Sequence, residues 1–292
     1  MPAISVIIVA FKSEKDICSC IDSIFENLDI GRDELEIIVV DNSPADSARK
    51  ISELISGRYA TEVKYFLMEE NLGYGRGNNF GVSVCRSNLI CVMNPDVRLK
   101  SPLFALAKER FLHDTKLAML GFRQTGGRNL SFYFYPEIFW PLIGVVFLKI
   151  FNFLNFFSPR WFFTSGALVF LDKEKFIKVG GYDEDIFLYC EDSDLCRRFV
   201  NSGCGLGYES SIAYDHQIDL SQRRGRTNAS LSFEYESMSH YFRKHGFSKR
   251  WYYAKRLIDF RIKEFIFLIL RKSARAGLKR EFLLFGRVFL RD

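Results

Sequence analysis

The chain has 292 residues, 48% hydrophobic and 16% aromatic with 30 Phe, which is enough for one large core, or a core plus an appendage, with apolar surface left over. Its net charge of +6 is uneven: from Arg243 to Asp292 there are 15 Lys+Arg against 4 Asp+Glu, or +11, leaving −5 on residues 1–242. A nucleic-acid binder would carry basic charge over its body, so that class is disfavoured, while the basic, aromatic tail reads either as a partner for an anionic surface or as a solvated helical cap.

The opening MPAISVIIVAF lacks the basic leader and small-residue cleavage site of a signal peptide and reads as a strand. No clean apolar run reaches 18 residues; the nearest, Phe139 to Phe157, is interrupted by Pro141, Lys149, Asn152 and Asn155. The seven cysteines form no CxxC pair, which suits reduced thiols. Cys190 and Cys196 read as small buried hydrophobes rather than a metal pair.

In chain order, Ile4 to Phe11 is a buried strand, and Ile17, Cys20, Ile21, Ile24 and Phe25 follow at helical spacing, with Ser13 or Asp16 as cap. Leu35 to Val40 is a second strand, ending at Asp41-Asn42-Ser43-Pro44. A helix from Ala45 to Ile55 and a strand from Val63 to Leu67 come next. Glycines then open a helix over Asn71 to Cys85, and Leu89 to Met93 is a fourth strand ending at Asn94-Pro95-Asp96. This alternation predicts a parallel sheet covered by helices on both faces. Ligands of such sheets bind beyond the carboxyl ends of the strands, so Asp41, Asn71 and Asp96 are the residues to read.

Further on, Pro102 to Leu112 reads as a helix and Leu117 to Phe122 as a strand. The aromatic segment 132–163 reads as a core helix pair, a lipid-facing element or an acceptor wall. Ala167 to Leu171 is a strand, Lys173 to Val179 a helix stopped by Gly180-Gly181, and Leu206 to Tyr214 a strand ending in Asp215-His216. From Glu234 onward the chain reads as helical.

The acids Asp183, Glu184, Asp185, Glu191, Asp192 and Asp194 crowd into one stretch beside Phe187, Leu188, Tyr189, Leu195 and Phe199. Carboxylates among apolar side chains are costly unless paired, bound to metal or used chemically; the alternative is a solvated helix start. Asp96, fixed by Pro95 past a strand, suits a hard divalent cation with phosphates, or is simply a turn residue. His216 is a core histidine or, with Asp96, a shared ligand for Mn²⁺. The loop Asn71-Leu-Gly73-Tyr-Gly75-Arg-Gly77 follows the third strand and lacks the GxGxxG order after the first, which counts against a dehydrogenase. Its glycines with Arg76 can approach a phosphate or sugar closely.

Taken in register, ISVIIVAF, IIVVDNS, NLGYGRGNNFG, CVMNPDV, SGALVFLDKEKFIKVGGYDEDIFLYCEDSDLCRR and the later His216 resemble the family 2 inverting glycosyltransferases with the GT-A fold, and among them the bacterial rhamnosyltransferase-like branch. The resemblance runs from about Ile4 to Ser221. It implies an α/β fold with a mostly parallel central sheet and helices on both faces over residues 1–232, with 132–163 as an acceptor- or membrane-facing insert. A basic helical extension would cover 233–292.

The resemblance also implies roles. Asp41 would accept from the ring N–H of a uracil or thymine base flanked by Ala10 and Phe11. Asn71, Gly73, Arg76 and Asn79 would line the nucleotide and donor sugar, with Asn94 and Gly166 nearby. Asp96 and His216 would hold Mg²⁺ or Mn²⁺ on the diphosphate, and Asp192, beside Glu191, would be the general base. The donor would be dTDP- or UDP-linked, best dTDP-L-rhamnose, or else a UDP-hexose or N-acetylhexosamine. The acceptor would be a saccharide, free or on a polyprenyl diphosphate, for a cell-surface polysaccharide such as O-antigen or cell wall. The enzyme would sit in the cytoplasm, peripheral to the membrane's inner face.

Three residues depart from the pattern. Asn94 stands where the family often has an acid, Lys12 replaces an asparagine common after the first strand, and Arg76 fills a slot often held by a small residue. A QxxRW element is absent, against a processive synthase. A nucleotidyltransferase would want a glycine-bearing phosphate loop where Phe11-Lys12-Ser13-Glu14 stands. A catalytically silent saccharide-binding relative would keep the same pocket.

Overall fold

The computed structural model describes residues 2–126, 130–216, 228–269 and 275–290. Ser221, where the resemblance ends, lies outside them. Five strands and three helices come first: β1 (Ile4–Ala10), α1 (Ile17–Glu26), β2 (Leu35–Asp41), α2 (Ala45–Tyr59), β3 (Val63–Leu67), α3 (Gly73–Val84), β4 (Leu89–Met93) and β5 (Val97–Leu99). Every residue of β1 is buried, as its apolar run, broken only by Ser5, requires of a strand covered on both faces. Helix α1 buries Ile17, Cys20, Ile21 and Ile24, the i, i+3, i+4, i+7 face read from the sequence. Asp16 takes its N-cap position but makes no side-chain cap bond.

The second half supplies α4 (Phe104–His113), β6 (Leu117–Thr125), β7 (Phe132–Phe134), α5 (Pro141–Phe153), β8 (Phe162–Thr164), β9 (Leu168–Asp172), α6 (Lys173–Lys178), α7 (Glu191–Asn201) and β10 (Gly205–His216). The aromatic segment is therefore a β7–β8 hairpin-like pair enclosing one helix, not a helix pair.

Eight strands form one sheet in the order β3-β2-β1-β4-β9-β6-β10-β5. Strands β1 to β4 pair in parallel. Strand β9 inserts antiparallel between β4 and β6, β10 runs parallel to β6, and β5 closes the edge antiparallel to β10. Two apolar layers cover the faces. Ile4, Val6, Ile8 and Phe170 belong to one, and Ile7, Val9, Val169 and Phe199 to the other. Successive residues of β1 and β9 thus alternate between the layers, as the pleat of a strand demands.

This register sets the site. Met93 at the end of β4 pairs with Leu168 at the start of β9, and His216 at the end of β10 pairs with Val97 at the start of β5. The segments after β1, β2 and β4, the one before β9 and the end of β10 thus meet along one rim.

The C-terminal helices are α8 (Asn228–Lys244), α9 (Lys249–Ile269) and α10 (Arg275–Phe289). Helix α8 crosses the 232/233 boundary drawn from the sequence. The three share a small core of Leu231, Tyr235, Tyr241, Phe242, Tyr252, Phe285 and Phe289. None of the described helices is long and apolar enough to cross a membrane.

Candidate active site

At the β1–β2–β3 end of the rim lies a hollow of about 360 Å³, lined by Phe11, Asn42, Ser43, Pro44, Leu67, Met68 and Asn71 among others. Asp41 lies fully buried beneath it, accepting from the Ser43 N–H and from Tyr65 Oη, both at 2.8 Å. Ala10 is also fully buried, so of the two expected base-flanking residues only Phe11 is at the surface. Lys12 has φ 54°, a left-handed conformation that asparagine tolerates better than lysine, and its N–H is held by Ser43 Oγ at 2.8 Å.

The glycine loop is stitched to the acidic block. Asn71 Oδ1 accepts from the Gly73 N–H, and Asn42 Nδ2 donates to the Gly73 carbonyl. Gly73 has φ 81°, and a Cβ there would overlap the Phe187 carbonyl. Asn79 is not free for the donor: its amide donates to the Tyr182 carbonyl at 2.9 Å and accepts from the Tyr182 N–H at 2.8 Å. Arg76, expected to face the donor, instead donates from Nε to the Glu184 carbonyl at 2.9 Å. Gly180 and Gly181 have positive φ and end α6. Gly180 has open space where a Cβ would stand, and Gly181 faces Asn79, so their role here is the turn.

At the centre of the rim, Asp192 Oδ2 accepts from the Gly166 N–H at 2.9 Å. Its Oδ1 is buried and has no partner among the described residues. A Cβ at position 166 would overlap the Asp192 carboxylate, so glycine is required by close approach. The Gly166 carbonyl is fixed in turn by Tyr74 Oη at 2.9 Å. The helix bearing Asp192 is launched by two consecutive left-handed residues, Tyr189 (φ 69°) and Cys190 (φ 65°). Such conformations cost about 1–3 kcal/mol each and persist where surrounding structure enforces them, often at functional sites.

Burial raises the pKa of Asp192, against the hydrogen bond from Gly166. Burial also raises that of Glu191, and the neighbouring Asp192 charge raises it further. The two carboxyls thus titrate as one interacting pair held above the ordinary carboxylate range, each with a buried oxygen that has no partner among the described residues.

Beyond β4, Asp96 Oδ1 stands 3.0 Å from His216 Nε2, across the β5–β10 pairing. His216 is buried and its Nδ1 has no partner among the described residues; Asn94 Oδ1 is buried and likewise unpartnered. The carboxylate beside the imidazole, with an orphaned amide oxygen two residues before Asp96, offers donor types that Mn²⁺ or Mg²⁺ takes. The Asn94 N–H donates to the Ala167 carbonyl at 2.8 Å, tying this corner to the Gly166 segment. Asn94, Asp96, His216, Gly166 and Asp192 thus share one rim; Asn79 and Arg76 are spent holding the acidic block.

A second group was not read from the sequence. Asp183, Asp185 and His240 bring one ligand atom each within 4.8 Å of one another. Lys244 Nζ already lies 2.6 Å from Asp183 Oδ2, and His240 Nε2 lies 2.9 Å from it, so this trio is built as an ion-paired clip rather than as an open cation site. Two residues past Asp192, fully buried Asp194 meets Arg198, Lys244 and His245 at 2.7–2.9 Å. Lys244 and His245 lie in the extension, 50 and 51 residues along the chain from Asp194, beyond any local spacing signal.

The fold is that of a GT-A nucleotide-sugar transferase. Among solved structures, a Pyrobaculum calidifontis mannosyltransferase, PcManGT, in complex with GDP-Man and Mn²⁺ aligns with TM-score 0.60 at 17% identity, over 84% of this chain and 64% of that one. S. aureus TarS 1-349 in complex with UDP-GlcNAc gives 0.56 at 17%, over 82% and 65%, and GalNAc-T7 with UDP, GalNAc and Mn²⁺ gives 0.58 at 15%, over 81% and 47%. The chain spans under two thirds of each of these solved chains. Rhamnosyltransferase WbbL of Escherichia coli (strain K12) is 23% identical over 236 residues, 75% of this chain and 85% of that protein. The profile of Glycosyl transferase family 2 matches residues 5–180, and the chain belongs to that family.

Proposed function

We propose that this glycosyltransferase is an inverting enzyme that moves a sugar from a nucleotide-sugar donor to a saccharide acceptor, with Asp192 as general base. The observation that carries the proposal is the Asp192 carboxylate, anchored through one oxygen by Gly166 and without a partner among the described residues at the other, on the rim that holds the Asp96–His216 pair. Asp192 Oδ1 takes the proton of the acceptor hydroxyl as that oxygen attacks the anomeric carbon. The bond from that carbon to the diphosphate breaks, the nucleoside diphosphate departs, and a single displacement inverts the configuration. Asp96 and His216, with Asn94, would hold Mg²⁺ or Mn²⁺, which supplies positive charge against the leaving diphosphate. The hollow at Phe11, Ser43 and Asn71 takes the base and Asp41 braces its floor.

The WbbL likeness favours L-rhamnose from dTDP-L-rhamnose, with acceptors of polysaccharide assembly such as a polyprenyl-diphosphate saccharide. The UDP-GlcNAc bound by TarS keeps a UDP-sugar as the second choice. A panel of nucleotide sugars, scored by released nucleoside diphosphate with a saccharide acceptor, tests this; no turnover of any donor, with or without Mn²⁺, would refute it.

The reading extends to a peripheral position on the inner face of the cell membrane. Helix α5 exposes Ile143, Val146, Phe147, Ile150 and Phe153, and α9 exposes Trp251, Ile258, Ile262 and Phe265 at spacings of seven, four and three along one face. The two stripes adjoin through Trp140 and Trp251, ring centroids 6.5 Å apart. With the basic tail beside them, they suit an anionic leaflet.

A further inference from the structure

A larger hollow lies outside the rim. It is about 750 Å³, between α5 and the β7–β8 pair, with walls of Phe134, Ile138, Ile143, Phe147, Trp140 and Trp161. That volume is within the range of sites that enclose an organic ligand, about 300–1,000 Å³. Its lining is apolar save for one charge, Arg160, which is exposed and makes no ion pair among the described residues.

The hollow is joined to the reaction centre by covalent structure. From Arg160 the chain passes through Trp161 and β8 to Gly166, which holds Asp192. Only Phe162–Thr164 of that stretch is strand, with turns at both ends, so Arg160 and Gly166 lie within roughly 20 Å, the length of six fully extended residues. The opposite wall is fixed as well: Glu137, next to Ile138, is paired with Arg197 of α7, and Lys255 of α9 donates to the Glu137 and Phe139 carbonyls. The site is thus a rigid annex of the helix that carries the base.

An aromatic slot with one unpaired guanidinium at its edge selects an amphiphile with a long apolar chain and one anionic phosphate head. A free saccharide would leave the slot unfilled. We propose that this groove binds the prenyl chain of a lipid-phosphate-linked acceptor, with Arg160 on the phosphate nearest the lipid, so that the saccharide reaches along β8 toward Asp192. This rests on the transferase reading above and deepens it by placing the acceptor's carrier.

All three tryptophans of the chain report on this place, since Trp140 and Trp161 line it and Trp251 packs on Trp140. The test is intrinsic tryptophan emission of the full chain, titrated with farnesyl monophosphate below its micellar concentration. Farnesol, inorganic phosphate, dodecyl phosphate and phosphatidylglycerol vesicles are titrated in parallel. The expected result is a saturable blue shift with farnesyl monophosphate, weakened at least tenfold in Arg160→Gln, while farnesol binding is the same in both proteins. Ile143→Asp, at an exposed position, should weaken both prenyl ligands at unchanged thermal stability.

No saturable shift, or identical titrations of wild type and Arg160→Gln, would overturn the proposal. So would a dodecyl phosphate response as tight as the prenyl one, or a phosphatidylglycerol shift that Arg160→Gln weakens as much as it weakens the farnesyl monophosphate shift. The readout needs no turnover: a failure here leaves donor hydrolysis and transfer to lipid-free saccharides untouched, and a failure there leaves this binding curve standing.

Discussion

Asp192 is held by a single N–H, and the residue that supplies it has no room for a side chain. Replacing Asp192 by Asn should therefore lower kcat by about 10²–10⁴-fold, the usual worth of a positioned base, with nucleotide affinity close to wild type. Gly166→Ala should also lower kcat, by displacing the carboxylate rather than removing it. Because burial raises both the Asp192 and Glu191 pKa, the acid limb of the pH–rate profile should lie above the usual carboxylate range of about 4. The sign for stability follows. An acid whose folded pKa is raised costs nothing below its unfolded pKa, and it destabilises increasingly as pH climbs from there to the folded one. Thermal melts should then show Glu191→Gln and Asp192→Asn more stable than wild type at neutral pH and equal to it below about pH 4, the unfolded range. An acid limb at ordinary carboxylate pH with no gain in stability would count against this environment.

At the scale of elements, α7 is aimed by contacts that come from far along the chain. Burial opposes the Asp194 charge, yet the His245 hydrogen bond and the Arg198 and Lys244 charges outweigh it and hold its pKa below the ordinary value. A depressed carboxylate stabilises above its unfolded pKa and loses that contribution as pH falls through the folded one. Asp194→Asn should cost about 3 kcal/mol, since it removes the buried carboxylate that Arg198, Lys244 and His245 converge on; calorimetry at pH 7 measures it. The same change should lower kcat more than nucleotide affinity, because α8 steers the base and not the hollow at Phe11.

Much of this was legible in the sequence. Strands β3 and β4 fall where the apolar runs put them, and Asp96 meets His216 as expected of two strand-end residues. The short strands β5, β7 and β8 were not legible, because three residues carry no periodicity. Asn79 and Arg76 read as ligand-facing, yet they serve the main chain of a loop over 100 residues away. In the sequence Asp194 is one more acid at a helix start. Its partners on α8 and beyond could be found only by folding.

For the molecule as a whole, the +11 extension is only partly available to an outside partner. Lys244 is spent on Asp183 and Asp194, and buried Lys255 on the Glu137 and Phe139 carbonyls. Membrane affinity should then depend as much on the exposed apolar stripes of α5 and α9 as on charge. Pelleting with anionic liposomes should succeed at low salt and persist in part at high salt, and a paired Phe153→Ser, Phe265→Ser variant should lose the salt-resistant part. No pelleting at low salt would remove the membrane from the account. Metal enters at this scale too: chelation should depress transfer, and Asp96→Ala should weaken nucleotide binding mainly when Mn²⁺ is present. An unchanged metal response in that variant would argue against the Asp96–His216 site.

The most direct measurement compares wild type with Asp192→Asn in one experiment, following sugar transfer from the preferred nucleotide sugar and nucleotide affinity together. The account predicts transfer with inverted anomeric configuration in the wild type, loss of transfer in the variant, and nucleotide binding that is nearly the same in both. Full transfer by Asp192→Asn, or a product of retained configuration, would contradict it.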